Sequence, residues 1–169
     1  SVWHMKTSMC PLVRVRKIMR TVKSYLQTSV HWGKSQADIC KLLGKQGIKD
    51  TRFTMLESQN QLICEFNYPT EIEKKPVGIG VRIILPIPEA KDIEKAKNQI
   101  HRALFYYLKS KFEALNFGLV EFLQEFMPHL VIYNKSGGTS TLYQIVAPQY
   151  KKGLVTGQQG EIKLLLESK

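Results

Sequence analysis

Lys6, Arg14, Arg16, Lys17, Arg20, Lys23 and Lys34 all precede Asp38, the first acidic residue of the chain. Seven like charges without a counter-charge complement an anionic surface, either the phosphates of a nucleic acid or the headgroups of a membrane. On a helix over residues 12–27, Val15, Ile18, Val22 and Tyr25 or Leu26 fall along one side, while Arg16, Arg20 and Lys23 share one face. The apolar side has no Phe or Trp, which favours the phosphate backbone over insertion into a membrane. Further cations lie at Arg102, Lys109, Lys111, Lys151 and Lys152. With Arg14, Arg16, Lys17, Arg20 and Lys23 they form the candidate nucleic-acid-binding set. Such contacts read charge rather than sequence and weaken steeply with salt.

Other chemistries find little support in residue type and spacing. His4, His31, His101 and His129 are separated from one another and from the carboxylates, and no HxxxH or HExxH spacing suggests a metal. Cys10, Cys40 and Cys64 form no CxxC pair; Cys40 on a helical face and Cys64 in an alternating strand read as reduced, buried small residues. The Gly78-x-Gly80 pair lacks a third glycine and a following helix, so it is no nucleotide fingerprint. Lys135 to Thr139 reads as a Gly-rich hairpin turn rather than a phosphate loop. No nucleophile lies in a recognisable turn, and the expectation is a protein without catalytic activity, metal or cofactor.

The elements that must position these residues follow from periodicity. Thr51 to Glu57 and Gln61 to Asn67 alternate, with Phe53 and Met55, then Leu62, Cys64 and Phe66, on one face, around a polar turn at Ser58 to Asn60. After a polar loop from Tyr68 to Pro76, residues 77–86 form a third strand. Its outer-face glycines, Gly78 and Gly80, permit close approach of another backbone or a ring. Pro86 and Pro88 end it and open a helix over residues 89–116, whose apolar side carries Ile93, Ala96, Ile100, Leu104, Tyr107, Leu108, Phe112 and Leu115. Gly118 is its stop. A shorter helix with Leu119, Phe122, Leu123 and Phe126 on one face then ends at Pro128, so the pair reads as a helical hairpin or a kinked long helix. Upstream, Trp32-Gly33 falls in a turn and Ser35 caps a helix through Ala37, Ile39, Cys40, Leu42 and Leu43, which ends near Gly44 or Gly47. Thr141 to Val146 reads as a strand or a helical turn, and Glu161 to Leu166 as a closing strand.

The fold class expected is α+β: an antiparallel three-stranded meander on a long helix and a second shorter helix, with a basic N-terminal helix. Residues 1–33 read as the basic extension and residues 34–169 as a single domain, a length that supports one core. The longest apolar runs, such as Ile83 to Leu85, fall far short of the ~20 residues that cross a bilayer. Cytoplasmic location and no membrane contact are expected.

From about Lys34 to Tyr143 the pattern resembles a family of small uncharacterised proteins encoded in phage and prophage genomes. The resemblance rests on Gly47-Ile48 before a polar hairpin from Arg52 to Phe66, on Leu85-Pro86 closing a strand, and on Arg102 near the middle of a long helix. It continues in Lys111-Phe112-Glu113-Ala114, Gly118, Phe126-Met127-Pro128 and Gly138-Thr139. His101 stands where that pattern has tryptophan, and the basic N-terminal segment lies outside it. The resemblance implies a phage or mobile-element context and supplies no catalytic residue. Two functions follow as expectations. The first is a nucleic-acid-binding accessory protein. The alternative is a protein-binding module, an inhibitor or accessory subunit or a homodimer, using Phe105, Tyr106, Tyr107, Phe117, Phe122 and Phe126.

Overall fold

The computed structural model describes residues 23–157, and Arg14, Arg16, Lys17, Arg20 and the expected strand at 161–166 lie outside them. Three antiparallel strands, β1 (Thr51–Leu56), β2 (Gln61–Ile72) and β3 (Lys75–Pro86), form a sheet in chain order. Register aligns Phe53 with Cys64 and Ile83, so the apolar residues of all three strands share one face. Helix α1 (Trp32–Gly44) and helix α2 (Ile93–Asn116) cover that face. Ile39, Leu43, Leu62, Cys64, Phe66, Val81, Ile83, Ile100, Leu104, Leu108 and Phe112 are all buried there. Alternation of period two against a stripe of period 3.6 therefore yields the expected α+β core.

Several boundaries differ from the sequence reading. The loop from Tyr68 to Pro76 is instead a continuation of β2 and β3, joined by Glu73 and Lys74, which both have positive φ, at 51° and 62°. That is the backbone of a two-residue type I′ hairpin. Its strands run past the core, so no apolar alternation marks them. Helix α2 begins at Ile93, four residues later than residue 89, where Asp92 accepts a hydrogen bond from the Lys95 amide at 3.2 Å. Ile93 and Tyr107, assigned to the buried stripe, are exposed. Ile93 is the first helical residue, and Tyr107 lies at the rim, bonded through its hydroxyl to His129 Nε2 at 2.8 Å.

At the far end of α2, Gly118 adopts φ 72°, its amide bonds to the Leu115 carbonyl and the Leu119 amide to the Ala114 carbonyl. This Schellman arrangement stops the helix and decides for two helices rather than one kinked one. Helix α3 (Phe122–Phe126) is short: Phe126 is buried and Phe122 half-buried, while Leu119 and Leu123 are exposed, so the four-residue apolar face does not form. A hairpin of β4 (Val131–Tyr133) and β5 (Thr139–Thr141) follows across the expected Gly-rich turn. Val131 packs over Gly80 at a distance that would leave a Cβ there in ordinary van der Waals contact, 3.4 Å away, so the structure does not require glycine at this position. Thr141 then caps α4 (Leu142–Thr156) in a reciprocal capping box with Gln144, settling the strand-or-turn ambiguity as a 15-residue helix.

The N-terminal side also differs. Residues 24–27 form a turn with Tyr25 at φ 58°, so no helix continues through Leu26. Helix α1 opens at Trp32, with His31 as its cap and the Trp32 amide donating to Asn98 Oδ1 of α2 at 2.7 Å; residues 32 and 33 thus belong to the folded body. Ser35 is not a cap. It is fully buried inside α1, with no hydrogen-bond partner for its Oγ among the described residues. Ser35→Ala removes a desolvated hydroxyl and improves helix propensity, so it is expected to stabilise the fold by about 1 kcal/mol. Urea denaturation measures the change, and a loss of stability would show that the hydroxyl is bonded after all.

Candidate nucleic-acid interface

Helix α1 presents a basic stripe. Lys34, Asp38, Lys41 and Lys45 recur at intervals of four, three and four, which places them within an arc of about 60° at 100° per residue. All three lysines are exposed. Asp38, the acid among them, is already engaged by Lys34 at 3.2 Å and by Arg102 of α2 at 3.3 Å. The hydrogen bond from Lys34 holds its carboxyl below the ordinary carboxylate range, Arg102 adds to this, and partial desolvation opposes it. A permanent anion shared by two cations leaves the stripe with excess positive charge.

Helices α1 and α2 run in the same direction, since Trp32 meets Glu94 and Asn98, Gln36 meets His101, and Asp38 meets Arg102. Beside the stripe the Arg102 guanidinium lies 4.6 Å from the Phe105 ring centre and 4.9 Å from that of Tyr106. Tyr106 in turn stacks on Tyr25 at 5.2 Å with planes 7° apart. Gln99 donates to the Ser24 carbonyl at 2.7 Å, so the segment carrying Lys23 is fastened across α2.

The remaining candidate cations are not brought together. Arg102 has a side chain only 17% exposed and is committed to Asp38 and two rings. Lys111, 12% exposed, donates to the Glu125 carboxylate at 2.7 Å and to its carbonyl at 3.0 Å, over the rings of Tyr107 and Phe126. Both serve the fold, since each fastens α2 to another element and has few donors left for phosphate. Lys109 forms an exposed pair with Glu113 at 3.7 Å. Lys151 and Lys152 are exposed on α4. Of the described candidates Arg102 touches the α1 stripe, through Asp38, and Lys23 adjoins Ser24, which is bonded to α2. Sequence reasoning missed Lys41 and Lys45, although their spacing from Lys34 carried the signal.

Burial pushes the Cys64 thiol up to about 12, which leaves it protonated and inert, while Cys40 is exposed and not buried as expected. Among the described residues no group of three His, Cys, Asp or Glu side chains could hold a metal, and no helix is long and apolar enough to cross a membrane. The chain matches no protein-family model, curated protein or solved structure, so the likeness to phage-encoded proteins gains no support from these comparisons.

Proposed function

We propose that this is a non-catalytic nucleic-acid-binding accessory protein of phage or mobile-element type, acting in the host cytoplasm and gripping the phosphate backbone. The observation that carries this reading is the exposed stripe of Lys34, Lys41 and Lys45, whose one acid, Asp38, is already shared with Arg102. Tyr25 and Tyr106, each 39% exposed, are stacked on one another with Arg102 over Tyr106, so of this pair only Tyr25 has a face left on which an unpaired base could stack. Salt titration of binding to duplex and single-stranded DNA and RNA tests it. Each neutralised phosphate contributes about 0.7–0.9 to the slope of log K against log salt. Replacing Lys34, Lys41 and Lys45 by Gln should lower that slope by roughly two to three, and replacing Arg16, Arg20 and Lys23 by Ala should do the same. All sequences should weaken alike.

A second reading is a protein-binding module or homodimer. Phe117 and Leu119, 81% and 74% exposed, support it, together with Leu123 and Met127 around the break between α2 and α3. Phe105, Phe122 and Phe126 no longer count towards such a face, because they pack into the core or against it. Undetectable nucleic-acid binding at low salt would leave this second reading standing.

A further inference from the structure

On the sheet face turned away from the helices, Arg52, Glu65 and Arg82 stand directly opposite one another across the three strands. Glu65 accepts from Arg52 Nε and from Arg82 Nε, each at 2.7 Å, through different carboxylate oxygens. Burial acts to raise the Glu65 carboxyl, but the hydrogen bonds from Arg82 and Arg52 outweigh it and hold the group below its ordinary range. One permanent anion thus orients two guanidinium groups, and Arg82 reaches it through Nε, with no bond to its Nη groups among the described residues. Lys49 adds a third cation at the rim of a 620 Å³ groove, whose other wall carries Tyr133 and Thr139 of the β4–β5 hairpin. Gly80 forms part of its lining, with the Val131 side chain packed against it.

We propose that this groove is a binding site for the phosphate group of a phosphate ester. Three cations converge there against Asp50 and the already shared Glu65, and its volume is in the range of small-molecule sites, about 300–1,000 Å³. A guanidinium fixed by a carboxylate behind it loses little freedom on meeting an oxyanion, and its planar fork matches phosphate geometry. Tyr133 and Thr139, whose hydroxyls can donate, belong to the same lining. The site is separate from the α1 stripe and does not rest on the nucleic-acid reading.

The test is calorimetry and amide chemical-shift titration of the whole chain with inorganic phosphate and with a nucleoside monophosphate at low ionic strength. Saturable millimolar binding that perturbs residues 49–52, 65–67 and 80–82 is expected. Arg82→Gln should weaken it at least about tenfold, as loss of a charged hydrogen-bond donor does. Lys49→Gln, at an exposed position with no ion pair among the described residues, should weaken it about threefold. The Lys34, Lys41 and Lys45 variant should bind phosphate like the parent. Absence of saturable binding by either probe overturns the proposal. So does an unchanged affinity in Lys49→Gln together with Tyr133→Ser, whatever Arg82→Gln does to stability.

Discussion

Phe112→Ala is expected to destabilise the protein by about 3–5 kcal/mol, a large part of the roughly 5–15 kcal/mol that holds a typical domain folded. Phe112 is 1% exposed and its ring lies 5.4 Å from that of Phe126 and 6.5 Å from that of Phe66. Phe126 meets Phe66 edge-on at 6.0 Å and stacks on Phe122 at 4.7 Å. Phe112 therefore stands where α2, β2 and α3 meet, and its truncation leaves a cavity bordered by stiff rings that cannot collapse into it. Leu104→Ala, on the same stripe over the sheet, should cost about 2–5 kcal/mol for the same reason. Ile93→Ala, at an exposed helix start, should stay within about 0.5 kcal/mol. Urea melts of the three variants decide the matter. A loss below 1 kcal/mol for Phe112→Ala would mean that the aromatic cluster is not the packed junction described.

These core positions were legible because two local periods coincide: alternation through Leu62, Cys64 and Phe66 faces the Ile100, Leu104, Leu108 and Phe112 stripe. What escaped the sequence depended on partners distant along the chain. Trp32 opens α1 with its amide on Asn98, 66 residues away, and with His31 as a local cap accepting from the Gly33 amide, a role that residue type does not announce. Arg102 and Lys111 read as free cations, yet Asp38 lies 64 residues from the first and Glu125 14 from the second. Arg52, Glu65 and Arg82 became a triad only once strand register was fixed. Helix α4 was different, for its capping box at Thr141 and Gln144 is local and readable. Pro148 and Gly153 hid it, although both are accommodated in a helix with no fully buried residue.

Stability should fall on mild acidification, well before any carboxylate titrates. His101 is fully buried, beside Trp32 and Phe53, and its Nδ1 donates to the Lys97 carbonyl at 2.7 Å while its Nε2 accepts from Gln36 at 3.0 Å. Protonating Nε2 would turn that acceptor into a donor facing an amide N–H and would place a charge in the core. Burial lowers the His101 pKa, the bond to Lys97 opposes this, and the charges of Lys97 and His31 lower it further. His129 is lowered likewise, by burial first and by Lys111 second, with Glu125 opposing. For a depressed histidine the unfolded chain binds the extra proton first. Stability is therefore complete above the unfolded pKa of about 6.5 and declines as pH falls below it, by at most about 1.4 kcal/mol per pH unit for each group. Asp38 and Glu65, whose pKa values are lowered, enter only in the window beneath about 4. Urea midpoints between pH 7.5 and 5 should thus drop in the parent, and the drop should shrink in His101→Gln, whose side chain does not titrate, and shrink further when His129→Gln is added. A parent midpoint that holds steady over that interval, or a decline of equal slope in the double variant, would mean that neither imidazole is kept neutral by the fold.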